Sequence, residues 1–276
     1  MDDHVENRSL LRRLWTDGHE IVSEQFEYRE LLFQLTKRDI LIRYKQAIMG
    51  FGWAVFMPLL NTAVFSVIFM RVAPLHVTVP YPLFAFLGLL TWNFTASALR
   101  FAVSALTGNI NLVTKVYCPR EVFAISSVIV TMIDTLVGSV VLIAIMLFYR
   151  IGPGWAIVYL PIVLMVQIVF TTGVALILSM ANLFYRDVKY LFELVIMVWM
   201  FATSVLYPTD LVKGIAGTIF RVNPMTAIID GYRNVLLYGH SPLTTPFVWT
   251  ALGASLSLCL FAVVFHRAEF RFAENV

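Results

Sequence analysis

Long segments without a charged side chain recur along this chain, and they constrain its fold more than any other feature. A helix rises about 1.5 Å per residue, so about twenty residues cross the roughly 30 Å hydrocarbon core of a bilayer. Residues 122–149 carry only Asp134, and the segments wholly free of Asp, Glu, Lys and Arg are 51–70, 72–99, 151–185, 194–209 and 234–265. The pattern predicts an all-α integral membrane protein with six transmembrane helices.

The composition excludes a water-soluble protein. Apolar residues make up 59% of the chain and charged residues 13%, against about 25% charged in soluble domains. Cys118 and Cys259 lie far apart and lack metal-ligand spacing, so neither a disulfide framework nor a metal site is expected. Residues 1–13 mix acids and bases without an apolar core, so no signal peptide is predicted.

The distribution of basic residues predicts the orientation. Most of the twenty Lys and Arg residues precede the first span or lie near 115–120, 186–189 and 267–271, on one side of the predicted bundle. Cytoplasmic loops carry such an excess. We therefore expect a multi-pass membrane protein with both termini in the cytoplasm. Membrane orientation accounts for the net charge of +3, so no nucleic-acid partner is needed.

The short charged segments divide the chain into a polar cytoplasmic N-terminus (1–25), a transmembrane domain (26–267) and a cytoplasmic tail (268–276). Residues 26–46 are too charged to cross, but their leucines and their polar side chains favour separate helical faces. They predict an N-terminal amphipathic helix in the membrane interface, with Lys37, Arg38 and Arg43 among its bases; an ordinary soluble helix is the alternative. The predicted spans cover about 51–71, 83–106, 122–149, 155–181, 191–207 and 244–265.

The segment between spans five and six is unusually apolar for an outer loop. Residues 215–220 and 225–237 could form two short helices interrupted by Asn223 and Pro224. Apolar pieces of this length fit a re-entrant or interfacial segment better than a crossing. We predict a re-entrant outer hairpin that serves as an outer gate at Asn223 and Pro224.

The sequence lacks a glycine-rich phosphate loop, HExxH, CxxC and GxSxG. We therefore expect no catalytic residue and no cofactor bound by this chain. If the protein pumps, the energy comes from an ion gradient or from a separate ATPase.

Four blocks of sequence carry a family resemblance. They are RDILIRYKQAIMGFGWAVFMPLL (38–60), GNINLVTKVYCPRE (108–121), NLFYRDVKYLFE (182–193) and NPMTAIIDGYRNVLL (223–237). In this order, around six spans, the chain resembles the permease subunit of ABC type-2 exporters, in the branch of Wzm and TagG permeases that exports O-antigen, capsule or teichoic-acid polysaccharides. The resemblance implies a homodimeric channel for a lipid-linked glycan in a bacterial cytoplasmic (inner) membrane. The channel would dock on two copies of a separate ATPase subunit that binds ATP and Mg²⁺.

The resemblance also assigns roles to two cytoplasmic turns. Residues 108–121 would form a coupling helix against the ATPase, with Pro119 in the first turn of the next helix. Lys115, Arg120 and Glu121 would offer contact charges; an ordinary positively charged loop is the alternative. Arg186 and Asp187 would form a second contact, or would simply end a helix.

Other side chains have a functional and a structural interpretation. Arg100, late in span two, would contact a substrate phosphate, snorkel to the interface or pair with Asp134; Asp134 fits a structural partner better than a proton relay. Aromatic side chains suit a glycan path, for which Trp92, Phe94 and Tyr207 are candidates, but such residues more often fill cores or line interfaces.

Three classes of function compete. A polysaccharide exporter permease fits best, and an ABC type-2 permease for a drug, a lipid or an ion is the alternative. A gradient-driven carrier or a polytopic membrane enzyme fits less well, because the five histidines are scattered and duplicated halves are absent.

Overall fold

The structure is a computed structural model, and it describes residues 28–45, 52–72, 74, 77–115 and 118–268. Within these ranges all regular secondary structure is helical. The α-helices are α1 (Arg29–Tyr44), α2 (Gly52–Val67), α3 (Tyr81–Ala105), α4 (Ile110–Lys115), α5 (Glu121–Phe148), α6 (Leu160–Phe184), α7 (Val188–Phe201), α8 (Gly214–Val222), α9 (Pro224–Arg233) and α10 (Thr245–Ala268). The predicted polar N-terminus, 1–25, lies outside the described residues, as does the tail beyond Ala268.

Four of these helical segments are long and apolar enough to cross a membrane: Tyr81–Ala105, Glu121–Phe148, Trp155–Phe184 and Thr245–Ala268. A 3-10 turn, Trp155–Tyr159, leads into α6, and a π turn, Ile68–Val72, extends α2. The all-α membrane class is confirmed. The helices at the first and fifth predicted spans, α2 and α7, have 16 and 14 residues, so the count of six spans stays a prediction.

Helix α3 is the central element of the bundle. It packs against α2, α5, α6, α7 and α9. In its most apolar 18-residue stretch, 83% of the residues are buried. Gln167 of α6 donates hydrogen bonds to the Thr91 carbonyl (2.8 Å) and to Thr95 Oγ1 (3.1 Å) of α3. These bonds satisfy polar groups that would otherwise be costly to bury.

The outer helices present apolar side chains outward. In the most apolar 18-residue stretch of α5, only 28% of the residues are buried, and in that of α10 only 11% are buried. Leu147, Phe148 and Leu256 are more than two-thirds exposed. An apolar surface of this kind requires lipid or another protein as its neighbour.

Contacts between helix ends show that α5 runs antiparallel to α10 and that α7 runs antiparallel to α3. At one end, the start of α5 meets the end of α10, where Glu121 faces His266. At the other end, the start of α3 meets the segment after α7, where Tyr81 donates a hydrogen bond to the Leu206 carbonyl (3.0 Å). We call the first the Glu121 end of the bundle. We call the second the Arg233 end, because Arg233 of α9 also contacts the segment after α7 there.

The predicted break in the apolar segment after α7 is confirmed. Helix α8 ends at Val222, α9 begins at Pro224, and Asn223 lies between them as the N-cap of α9. A π turn, Asn234–Tyr238, then ends at Gly239, whose left-handed φ of 65° suits glycine. The placement of this hairpin in a membrane stays a prediction.

Candidate functional site

The short helix α4 and the loop after it form one part of the surface at the Glu121 end. Lys115 is exposed at the end of α4, while Val113 anchors the helix with 2% exposure. Arg120 Nη2 donates to the Val113 carbonyl at 3.4 Å, which ties α4 to the start of α5. Pro119 lies one residue before the N-cap Arg120, not within the first helical turn as predicted from the sequence.

Glu121 does not present its charge at the surface. Its side chain is only 3% exposed, and its Oε1 lies 3.6 Å from Nδ1 of His266 at the end of α10. The sequence suggested a contact charge at this position. In the structure the carboxyl group instead joins the start of α5 to the end of α10.

The turn between α6 and α7 forms the other part of this surface. Arg186 and Asp187 are both exposed there. Asn182 fixes the turn, because its Nδ2 donates to the Val103 carbonyl (2.8 Å) while its Oδ1 accepts from the Lys189 amide (3.2 Å). The end of α3, which leads into α4, is thereby bound to the turn that carries Arg186 and Asp187.

The basic residues predicted for the interfacial helix have different environments. Lys37 is exposed, and Arg38 pairs with Asp39 at 2.7 Å. Arg43 turns toward the bundle, where its Nη1 lies 2.5 Å from Oδ2 of Asp134 in α5. Its guanidinium also lies over the Phe101 ring, 4.2 Å from the centroid.

Tyr44 donates a hydrogen bond to the same carboxylate, Oδ1 of Asp134. Burial, together with the neighbouring Asp134, raises the pKa of the Tyr44 hydroxyl, so it stays protonated as a donor. The predicted structural role of Asp134 therefore has identified partners in Arg43 and Tyr44. The suggested Arg100 pairing is wrong, because Arg100 Nε lies 3.1 Å from Oε2 of Glu193 in α7.

A cavity of about 440 Å³ opens beside the Arg43–Asp134 pair, between α1, α2, α3 and α5. Phe94, a candidate for the substrate path, lies in its wall. Trp92 instead packs edge-on against Trp199 in the core, with 5.5 Å between ring centroids and 3% exposure. Tyr207 lies at the Arg233 end, where its hydroxyl donates to the Phe201 carbonyl.

At the Arg233 end, Asn223 satisfies its whole side-chain amide. Its Oδ1 accepts from the Met225 amide (3.0 Å) and from Trp199 Nε1 (3.1 Å). Its Nδ2 donates to the Ala202 carbonyl and to Thr203 Oγ1, both at 2.8 Å. The break before Pro224 is thus fixed to the end of α7, as an N-cap residue with proline at the first helical position.

Arg233 holds the irregular segment that follows α7. Its Nη1 donates to the Ser204 carbonyl (2.6 Å), and its Nη2 donates to the Val205 carbonyl (2.8 Å). Its Nη1 also pairs with Asp230 (3.2 Å), and its guanidinium lies 3.5 Å from the centroid of the Phe84 ring. Arg233 is 2% exposed, so we call this contact set the Arg233 clamp.

Comparison with known proteins identifies the family. The ABC-2 type transporter family matches residues 30–237. The chain belongs to this family. It is also similar to an O-antigen export system permease protein RfbA of Myxococcus xanthus, with 27% identity over 93% of this chain and 99% of the relative. Two RfbA proteins of Klebsiella pneumoniae, also named O-antigen export system permease proteins, are 29% and 28% identical over 89% of this chain and 94% of each relative.

The part of this ABC-2 type transporter chain that matches the family begins in α1 and ends in the π turn after α9. It includes α4, the 440 Å³ cavity and the Arg233 clamp. Sequence reasoning did not assign the clamp. The signal available was the Asp230–Arg233 pair, an acid and a base three residues apart on one helical face of an apolar segment. Nothing in the sequence indicated that Arg43 faces Asp134, because the two lie in separate helices.

Proposed function

We propose that this chain is the permease subunit of an ATP-driven ABC exporter that moves a lipid-linked polysaccharide of the O-antigen type across the cytoplasmic membrane. The observation that carries the proposal is its correspondence, over 93% of its length, with a relative named as an O-antigen export system permease. The outward apolar surface of α5 and α10 supports a lipid environment.

The Glu121 end is proposed to face the cytoplasm and to contact a separate ATPase. Exposed Lys115, Arg186 and Asp187 offer the separable polar surface that such a contact needs. Arg120, Pro119 and the buried Glu121 would position that surface. A displacement of α4 would pass through Arg120 to the start of α5, and through the Glu121–His266 pair to the end of α10.

The bundle is proposed to have six crossings and to act as a homodimer on two ATPase copies. Helix α7 has 14 residues, about 21 Å at helical rise. The buried segment after it would complete the fifth crossing, since irregular backbone is tolerated at membrane depth where protein covers it. The Arg233 clamp and Asn223 provide that cover for residues 202–205.

Reconstitution tests this proposal. The permease and its cognate ATPase, co-expressed and purified, should form a stable complex with two copies of each chain. In a host lacking its own permease, the pair should restore surface polysaccharide, while an ATPase without its phosphate-binding lysine should not. Failure of the active pair to restore any surface polysaccharide would contradict the proposal that the substrate is a polysaccharide. ATP hydrolysis by the highly purified permease alone would contradict the assignment of ATP hydrolysis to a separate subunit.

A further inference from the structure

The 440 Å³ cavity beside the Arg43–Asp134 pair lies midway along the spans. Its walls come from the end of α1, the first half of α2, and the middles of α3 and α5. Its volume falls within the range of about 300–1,000 Å³ typical of small-molecule sites. A whole polymer does not fit in this space, but a short part of one does.

The charges in the cavity wall cancel. Arg43 is the cation of the described lining and Asp134 is its anion, and their nearest atoms are 2.5 Å apart. Their side chains are 26% and 15% exposed. A phosphate or pyrophosphate would have to compete with a carboxylate already in contact with the guanidinium, so the pair disfavours an anionic ligand.

The remaining polar groups are neutral and available. Asn61, Asn93 and Ser97 line the cavity, and none of the three makes a side-chain hydrogen bond to another described residue. Thr131 and Thr135 donate to carbonyls of their own helix, which leaves their oxygen lone pairs for a further partner. Amides and hydroxyls at bilayer depth are costly unless a polar molecule meets them.

Aromatic side chains complete the wall. Trp53 of α2 is 43% exposed and presents its ring to the cavity, whereas Phe94 of α3 lies in the wall with 2% exposure. An aromatic face beside a set of neutral donors and acceptors matches a pyranose ring, which has an apolar C–H face and an edge of hydroxyl groups. Water alone would satisfy the amides but would leave the exposed face of Trp53 without a matching partner.

We propose that this cavity is a subsite for a neutral sugar unit of the transported glycan. Asn61, Asn93 and Ser97 hydrogen-bond the hydroxyl groups of the sugar, and the exposed ring of Trp53 covers its C–H face. The Arg43–Asp134 pair lies beside the hydroxyl edge and orients it. The inference rests on the proposed function, and it adds a sugar contact inside a single chain.

Thiol protection tests the subsite in the complete permease–ATPase complex in lipid nanodiscs. Ser97→Cys is made in a chain with Cys118→Ser and Cys259→Ser, and its rate of maleimide labelling is measured. The probe is lipid-free O-polysaccharide fragment from the host surface. At about four times its Kd the fragment should slow labelling about fivefold, while inorganic pyrophosphate at the same concentration should not. Ser139→Cys, at a half-buried position of α5 outside the described cavity lining, should label equally with and without fragment.

Two side-chain changes test the hydrogen bonds. Asn61→Leu and Asn93→Leu keep the branched side-chain shape but replace the amides by methyl groups. Each should raise the fragment concentration for half-protection about tenfold, the effect expected for one or two hydrogen bonds. Each should also lower surface polysaccharide, whereas Ser139→Leu should alter neither quantity.

The outcomes separate this subsite from the exporter function. If the complex exports glycan but the fragment leaves Ser97→Cys labelling unchanged, the subsite is wrong and the proposed function stands. Protection by pyrophosphate but not by the fragment would show that the cavity binds an anion and not a sugar, and would overturn the proposal. A Ser97→Cys thiol that is unreactive in the complex without fragment would show that another chain covers the cavity, and it too would overturn the proposal.

Discussion

Arg233 takes the place of water for two main-chain carbonyls where the chain leaves helical geometry. The planar guanidinium directs Nη1 to Ser204 and Nη2 to Val205 at 2.6 and 2.8 Å. A lysine ammonium at this position is a point donor on a flexible stem, so it cannot reproduce both directions. The same guanidinium is also the partner of Asp230.

Replacing Arg233 should therefore destabilise the Arg233 end. Arg233→Met leaves two carbonyls and Asp230 without this partner, and we expect a loss of about 3–5 kcal/mol, as when one member of a buried pair is removed. Arg233→Lys should fall between Met and wild type. Thermal unfolding of the purified permease in detergent measures the effect, with exposed Arg221→Met as the matched control. Equal melting temperatures for Arg233→Met and Arg221→Met would contradict the clamp.

Gly88 allows the irregular segment to lie directly on α3. A Cβ at this position would be 2.2 Å from the Val205 oxygen and 2.9 Å from Arg233 Nη2. Gly88→Ala should thus displace the segment and cost about 1–3 kcal/mol, as overpacking does. Gly253→Ala in α10 is the control, since a Cβ there has no heavy atom within 4 Å. The same unfolding assay compares them, and a neutral Gly88→Ala would show that the contact can relax freely.

At the scale of elements, chain-local signals predicted well. Uncharged length predicted the long helices, and Asn223 followed by Pro224 predicted the break between α8 and α9, because capping and proline effects act over a few residues. Contacts between distant segments could not be predicted in this way. The partners of Asp134 come from α1, some ninety positions earlier, and the burial of Glu121 depends on His266 at the far end of the chain.

The surface formed by α4 and the α6–α7 turn yields a prediction at the same scale. Lys115→Glu combined with Arg186→Glu reverses two exposed charges and disturbs no buried contact of the described structure. Weaker electrostatic complementarity should slow association with the ATPase. Co-purification yield and association rate would be compared with Lys213→Glu, an exposed reversal at the Arg233 end. Unchanged co-purification and polysaccharide export in the double variant would rule out this surface as the coupling contact.

For the whole molecule, the antiparallel bundle determines which loops share a side of the membrane. The end of α3, the starts of α5 and α7 and the end of α10 lie together at the Glu121 end, through Asn182, the Arg100–Glu193 pair and the Glu121–His266 pair. The basic residues of the turns at this end predict, by the positive-inside rule, that it faces the cytoplasm. With that orientation, we expect the whole segment from Thr209 to His240 on the outer side, although its helices are apolar.

Cysteine accessibility tests that topology in intact cells. In a chain with Cys118→Ser and Cys259→Ser, Thr209→Cys and His240→Cys should both react with a membrane-impermeant thiol reagent added outside. Ile228→Cys should resist it at rest, because Ile228 is 0% exposed in α9, which packs against α3 and α10. Ile215 is 85% exposed, so Ile215→Cys should react at rest. Outside labelling of one of Thr209→Cys and His240→Cys, with labelling of the other only after lysis, would place an additional crossing in the hairpin and overturn the six-span bundle.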